Sequence, residues 1–372
     1  LVVFQFAVSV ILIIGTFVVR RQMDYVRTRD LGFNKDQVVV IKKVDDIGGQ
    51  IRAFKQALLA NPRVLGASNT GDLIGDDFGS SVFKLAGATG EESHLLNTFQ
   101  TDEGFAEVYE IEMASGRYFE AERPTDASAV VINEKAAREL GLTEAAGQQI
   151  VAHGPTPAQS RKVTLIGIMK DFHFQSLHAE IRPLIIGNYG ERGLGRYLSV
   201  RVRPEGIRET IDFMDRTWRG FAGNQAFEYQ FFDDHFARLY EADERTGRVF
   251  LAFSVLAAFV AGLGLFGLSA FLAEQRTKEI GIRKTLGASA GGIGLLLAGQ
   301  FAKWVLAANL VAWPLGYWFM HRWLQKFAYR TALSPLLFLG ASFIVLVFAL
   351  LAVSCQTVKA AAADPVKSLK YE

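Results

Sequence analysis

Apolar and charged residues are segregated along this chain. Four stretches, Leu1–Val19, Val249–Ala273, Trp304–Met320 and Leu336–Val358, contain no Asp, Glu, Lys or Arg. A helix needs roughly 20 apolar residues to cross the hydrocarbon core of a bilayer. The first stretch reaches that length and ends sharply at Arg20-Arg21, the second ends at Glu274, and the fourth starts just after Pro335, a favourable first position for a helix. The third is short and contains Asn309 and Pro314, and a kink is expected at the proline. Lys303 can extend its ammonium to the interface, which lets that span begin near Gln300.

The long segment between the first two spans has a different pattern. Gln37–Lys42, Ala129–Ile132 and Val163–Met169 are β-rich runs. Ile51–Ala60 reads as a helix stopped by Asn61-Pro62, and Asn133–Leu140 as another, capped by Asn133 and stopped by Gly141. Ile207–Trp218 places Ile207, Ile211, Met214 and Trp218 on one helical face. Strand runs mixed with helices predict an α+β domain with its own core. At its edges, Arg20–Asp30 continues the first span as a polar segment. Phe231–Arg248 leads into the second with Phe232, Phe236, Leu239 and Tyr240 at helical spacing. Two helices rising from adjacent spans are expected to form a stalk.

The expected fold class is therefore a multi-pass α-helical membrane protein. It has four transmembrane helices (1–19, 249–273, 300–320, 336–358) and a large α+β extracytoplasmic domain, 20–248, inserted between helices 1 and 2. Four spans put segment 20–248 and loop 321–335 on one face, with segment 274–299 and tail 359–372 on the other. The second face carries Arg276, Lys278, Arg283, Lys284, Lys359, Lys367 and Lys370, against Arg322, Lys326 and Arg330 in the short opposite loop. That asymmetry favours the second face as cytoplasmic. Arg20, Arg21, Arg27 and Arg29 oppose it, but large domains translocate regardless of such charges.

Composition changes this picture little. The 40 basic and 38 acidic residues leave a formal net charge of +2, which predicts no strong attraction to nucleic acid. The one cysteine, Cys355, excludes an intrachain disulfide. The chain opens inside an apolar run at Leu1, as expected for part of a longer polypeptide.

Two motifs imitate chemistry. Gly262, Gly264 and Gly267 form a G-x-G-x-x-G, but inside an uncharged span with no preceding strand or acidic ribose partner. Ser254, Ala258 and Gly262 recur every four residues, which instead suggests close helix packing in the membrane. Gly287, Ser289 and Gly291 form a G-x-S-x-G that follows a basic helical segment rather than a strand, and the nearest histidine in sequence is His321. His173 and His178 are spaced wrongly for one helix face, so with Asp171 they read as a strand-end turn rather than a metal site. No Gly-Lys dipeptide occurs, hence no P-loop. The residues thus nominate no catalytic, cofactor or metal site, and any ATP used would be hydrolysed by another polypeptide.

Several segments resemble one family. EQRTKEIGIRKTLGAS (Glu274–Ser289) is similar to the cytoplasmic coupling segment of the MacB/FtsX-type ABC transporter permeases, and AADPVKSLKYE (Ala362–Glu372) to the ending of the same family. KDFHFQSLHAEIRPLII (Lys170–Ile186) and ASGRYF (Ala114–Phe119) resemble pieces of its extracytoplasmic core domain. LGFNKDQVVVIK (Leu31–Lys42) and HRWLQKFAYR (His321–Arg330) also fit. The resemblance implies a permease subunit of the inner membrane that binds no cofactor itself. It also implies a separate ATPase using ATP and Mg, and a homodimer partner or second permease module. Longer members carry two such modules, and this chain is expected to be the second.

Within the coupling segment, Arg276, Lys278, Glu279, Arg283 and Lys284 offer ion pairs, Ile280, Ile282 and Leu286 offer apolar anchors, and Gly281 and Gly287 permit tight approach. A charged rim around apolar anchors suits docking on a partner. The uncharged spans would not line a polar path, so movement transmitted to the outer domain is expected rather than a channel. An envelope protein or lipoprotein would be met there. A membrane-anchored sensor or binding module would account for the domain and its anchors but not for four spans with a charged inner loop, whereas a cell-division-type regulator of an envelope enzyme shares all these features.

Overall fold

A computed structural model describes residues 2–86, 93–144, 147–152, 160–188, 195–275 and 290–362. The chain divides into two compact units, an outer unit Arg29–Tyr240 and a membrane unit formed by 1–28 with 241–372.

Among the described residues the outer unit is built on eleven strands in two lobes. The first lobe holds β1 (Val38–Lys42), β2 (Val64–Thr70), β10 (Tyr197–Val202) and β11 (Tyr229–Phe231), in the antiparallel order β11-β1-β10-β2. Helices α2 (Ile51–Leu59) and α5 (Ile207–Ala222) contribute to its core, where Phe54, Leu58, Met214 and Trp218 meet Val39, Ile41 and Val200. The predicted α5 face is present, with Met214 and Trp218 buried and Ile207 and Ile211 half-buried.

The second lobe is a closed ring. β3 (Ser80–Leu85), β4 (His94–Thr101), β6 (Ala129–Asn133), β7 (Gln149–Ala152), β8 (Arg161–Met169) and β9 (Leu184–Asn188) pair in the order β4-β3-β7-β8-β6-β9, and a parallel β9–β4 pairing shuts the circuit. Its core includes Leu96, Val130, Ile132, Ile150, Leu165 and Ile185, and α4 (Glu134–Glu139) adds Ala136 and Ala137. β5 (Met113–Gly116) pairs with β8. The lobes meet in the sheet through one residue pair, Thr70 with Thr101. Asp102 fastens that seam, accepting from Lys55 Nζ (2.7 Å), Asn69 N (2.9 Å), Ser68 Oγ (2.8 Å) and Gly104 N (3.0 Å). A buried carboxylate is tolerated because all these donors satisfy it.

In the membrane unit, α1 (Val2–Thr28), α7 (Glu241–Gln275), α8 (Ala290–Leu324) and α9 (Pro335–Ala362) pack together. Among the described residues three helices are long and apolar enough to cross a membrane: α1, α7 as far as Phe271, and α9 as far as Ala352. The sequence expectation of four rests in addition on α8, which begins at Ala290 rather than near Gln300 and continues through Pro314. Phe6, Val10 and Ile14 of α1, Ala261 and Leu265 of α7, Ala308 and Ala312 of α8, and Ala341 and Val345 of α9 form the shared core. Many other apolar side chains, such as Leu251, Phe259, Leu310 and Phe343, are exposed, as expected of a lipid-facing surface.

Polar side chains bond across helices. The Thr16 and Ser254 hydroxyls share a hydrogen bond of 3.2 Å, and Trp313 Nε1 donates to Ser342 Oγ (2.9 Å), which donates to Asn309 Oδ1 (3.0 Å). Gln22 is fully buried. Its amide donates to the Tyr329 carbonyl (2.9 Å) and accepts from Thr331 N (2.8 Å), which pins α1 to the α8–α9 loop.

At the domain edges one expectation is met and one changes. The helix of the first span continues past Arg20-Arg21 to Thr28, as expected, because Gln22, Met23 and Val26 keep a buried face while the arginines point out. The proposed outgoing stalk is not one helix. α6 (Phe232–Arg238) ends before Leu239, and a new helix, α7, starts at Glu241. Phe232, Phe236 and Tyr240 are buried within the outer unit, so only Glu241–Arg248 prolongs the second span.

Candidate functional site

The chain enters the outer unit at Arg29 and leaves it at Tyr240. Both crossings are held by one irregular segment, the β8–β9 loop 170–183. Its ends are fixed first. Asp171 Oδ1 accepts from Lys135 N at the start of α4 (2.8 Å) and Glu134 Oε2 accepts in return from Asp171 N (3.1 Å), while Asp171 also pairs with Arg138. At the far end Asn133, the N-cap of α4, donates to the Arg182 carbonyl (2.9 Å) and accepts from Leu184 N and Ala136 N (both 2.9 Å). The cap predicted from sequence therefore anchors the loop as well as the helix.

Between these anchors the loop turns Phe172, Phe174 and Leu177 inward, each at most 1 % exposed. The inbound segment crosses it tightly. His173 N donates to the Leu31 carbonyl (2.8 Å), and Gly32, at φ +76°, lies where a Cβ would sit 2.8 Å from the Asp171 carbonyl oxygen. Phe33 enters the centre, edge-on to Tyr109, Phe172, Phe232 and Phe236 at 5.7–6.4 Å. On the outbound side Leu177 N donates to Tyr240 Oη (2.8 Å), and the Tyr240 ring stacks on His178 at 5.8 Å. Phe174 stacks on Phe78 (5.2 Å) and Phe78 on Phe99 of β4 (4.6 Å), which carries the ring network into the closed lobe. Phe105 and Tyr109 of α3 (Phe105–Tyr109) link it back, with Tyr109 hydroxyl-bonded to Ser199 of β10 at 2.9 Å.

The electrostatics favour neutral groups here. Burial, with Arg29 nearby, lowers the His173 pKa to about 4, so the imidazole is uncharged at neutral pH. Burial also lowers His235, against the attraction of Asp76, whose Oδ1 lies 3.5 Å from His235 Nε2. Burial raises the Tyr109 phenol well above its ordinary value. Among the described residues no group of three His, Cys, Asp or Glu is arranged to hold a metal, and His173, His178 and Asp171 serve the loop as described. A dense, neutral aromatic hub thus packs loop 170–183 against Leu31–Phe33 and Tyr240, the two ends of the outer unit, and such close-packed interiors deform little.

Of the residues nominated from sequence, Ser254 is buried against α1 through Thr16, Ala258 is half-buried, and a Cβ on Gly262 would come within 2.9 Å of the Phe348 ring of α9. Arg276, Lys278, Glu279, Ile280, Gly281, Ile282, Arg283, Lys284, Leu286 and Gly287 lie outside the described residues, as does the tail from 363. The hub was missed from sequence. Its signal is the aromatic alternation Phe172–His173–Phe174 in a segment with no regular structure.

Two family profiles match. MacB-like periplasmic core domain covers residues 6–208, more than half of the chain, and FtsX-like permease C-terminal covers residues 251–365. The chain belongs to the MacB/FtsX-type permease family. It is thus a membrane protein with an extracytoplasmic domain, of the permease class of ABC transporters. Membership implies an ATPase partner and a dimeric assembly. Among solved structures, the periplasmic region of MacB from Actinobacillus actinomycetemcomitans is similar at 12% identity and TM-score 0.40, covering 57% of this chain and 97% of that one. A domain of a putative permease protein from Porphyromonas gingivalis matches at 16% identity and TM-score 0.37, covering 53% and 88%. The extracellular domain of the noncanonic ABC-type transporter YknZ from Gram-positive bacteria matches at 16% identity and TM-score 0.36, covering 52% and 97%. No curated protein sequence matches the chain. The assignment rests on the family profiles.

Proposed function

We propose that this chain is the inner-membrane permease subunit of an ABC-type transporter, converting ATP hydrolysis by a separate ATPase into motion of its outer unit. In this reading α1, α7, α8 and α9 all span the membrane. Residues 276–287 dock on the ATPase, which uses ATP and Mg, and a second copy or second module completes the dimer. The outer unit then acts on a peptide, a lipoprotein or another hydrophobic cargo in the envelope.

One observation supports this above the others: loop 170–183 grips both Leu31–Phe33 and Tyr240, next in sequence to the ends of α1 and the start of α7. A domain that merely bound a ligand at the end of a tether would not need both crossings fixed to one loop. The test is co-reconstitution with the ATPase. Glu279→Ala together with Arg283→Ala is expected to abolish ATPase retention or stimulation while membrane insertion stays normal. Unchanged stimulation in the double variant removes the docking assignment.

A further inference from the structure

Arg20 and Arg21, at the end of the first charge-free stretch, oppose the charge asymmetry of the rest of the chain, and the mechanism proposed above gives them no task. Within the membrane unit they have company. Gly247 of α7 lies beside α1, where a Cβ would sit 3.0 Å from Val19 Cγ1, and Gln22 of α1 bonds to Tyr329 and Thr331 of the α8–α9 loop. These contacts bring the ends of the charge-free stretches of α1 and α7, and the loop that follows α8, to one level. Arg20 and Arg21 of α1, Arg248 of α7, Arg322 near the end of α8, and Lys326 and Arg330 of the α8–α9 loop are all exposed there. None of these cations pairs with a carboxylate among the described residues.

Carboxylates are displaced from this level. Loop 321–335 contains no Asp or Glu. Asp24 lies four residues beyond Arg20, about 6 Å farther along the helix, and Glu244 and Glu241 lie about 6 and 10 Å beyond Arg248. Glu244 is moreover committed to Arg27. Over the whole chain 40 bases nearly balance 38 acids, so an ordinary solvated face would mix both signs. Aromatic side chains mark the level as a bilayer boundary. Tyr317 and Trp318 are 50% and 53% exposed just before Arg322, whose guanidinium stands 5.8 Å over the Trp318 ring.

Unpaired like charges at one level repel each other, and each guanidinium presents N–H donors in a fork that matches phosphate oxygens. At this depth the counter-charge that meets them is a lipid headgroup. We propose that these residues form a basic collar that binds the phosphate groups of anionic phospholipids in the extracytoplasmic leaflet. Bound headgroups then relieve the repulsion among α1, α7, α8 and the α8–α9 loop. The collar rests on the reading that α8 spans the bilayer, and it is independent of the ATPase.

The experiment compares, by electron spin resonance, the association of spin-labelled phosphatidylglycerol and spin-labelled phosphatidylcholine with the full chain in phosphatidylcholine vesicles, without the ATPase. Phosphatidylglycerol is expected to associate about fivefold more strongly, the factor that one basic residue contributes near an anionic surface, and the preference should shrink as salt rises. A variant combining Arg20→Gln, Arg21→Gln, Arg248→Gln, Arg322→Gln, Lys326→Gln and Arg330→Gln should lose about half of that preference or more. The cations of the coupling segment stay in place, so the difference reports the collar alone. A second variant with Lys at the same five arginine positions should keep the preference, which separates lost charge from lost fold. Arg208→Gln with Arg216→Gln, which removes exposed cations from α5, should change nothing. Three results overturn the proposal: equal association of the two lipids with wild type, an undiminished preference in the glutamine variant, or loss of the preference in the lysine variant. The span of α8 is read separately. Gln325→Cys and Asp212→Cys, each in a Cys355→Ser chain, should both react with a membrane-impermeant maleimide in spheroplasts. Protection of Gln325→Cys alone removes the fourth span and the collar with it, whereas reaction of both without a lipid preference removes only the collar.

Discussion

Replacing Tyr240 with phenylalanine removes one oxygen from the hub and little else. Leu177 N–H, on a residue with no exposed surface, donates to that oxygen at 2.8 Å. The ring stays, and with it the stack on His178 at 5.8 Å and the edge contact to Phe236 at 6.0 Å. What is lost is the acceptor of a buried backbone donor, which costs about 1–3 kcal/mol rather than the smaller net worth of an average hydrogen bond. If loop 170–183 opens locally, that energy raises its opening equilibrium by about 5- to 150-fold. Hydrogen exchange on the full chain in detergent measures this directly. Peptides covering 170–183 and 232–240 should exchange faster in Tyr240→Phe by a factor in that range, while those covering β1 and β10 keep their wild-type rates. Unchanged exchange at Leu177 would refute the claim that Tyr240 closes the loop. Equal acceleration throughout the outer unit would refute the claim that the loop is a separable latch.

Two further predictions concern the membrane unit and the loop itself. Gln22→Leu keeps the volume but strips the Tyr329 and Thr331 backbone groups of their partner, so the α8–α9 loop should loosen at a cost of roughly 2 kcal/mol or more; proteolysis between 325 and 334 should quicken relative to wild type. His173, with its pKa lowered to about 4 by burial, stays neutral in the folded state while the unfolded chain takes up a proton from about pH 6.5 downward. Its contribution is therefore complete above about pH 6.5 and is lost as pH falls toward 4, by up to about 3 kcal/mol. Thermal unfolding of His173→Gln should show a flatter pH dependence than wild type in that window, and an identical slope would contradict the assignment.

How far the sequence disclosed this structure depended on whether a feature was local. Charge-free runs report a solvent, so α1, α7 and α9 were legible, whereas Lys303 interrupts the apolar run of α8, whose start at Ala290 the sequence placed near Gln300. The Asn133 cap and the buried face of α5 follow from spacing alone and were found. The closed ring was not, because it depends on the parallel pairing of β4 with β9, far apart in sequence. Phe232, Phe236 and Tyr240 show the limit most clearly. Their spacing of four fits a helical stripe whether it faces a stalk or a core. What decides is that Phe33 and Tyr109 arrive from elsewhere to pack on Phe232, with Phe33 also on Phe236, and the chain breaks between α6 and α7 to let Tyr240 reach Leu177. The loop that does this has no period at all, so only its aromatic content could have drawn notice.

The central claim is that work done by the ATPase reaches the outer unit through loop 170–183. Its most direct test is amide exchange in the co-reconstituted complex, comparing nucleotide-free and ATP-trapped states, for wild type and for Glu279→Ala with Arg283→Ala. The account predicts that exchange in peptides 170–183 and 232–240 differs between the two nucleotide states in wild type and ceases to differ in the double variant. A wild-type complex that hydrolyses ATP at full rate, with identical exchange at those peptides in every nucleotide state, would contradict it.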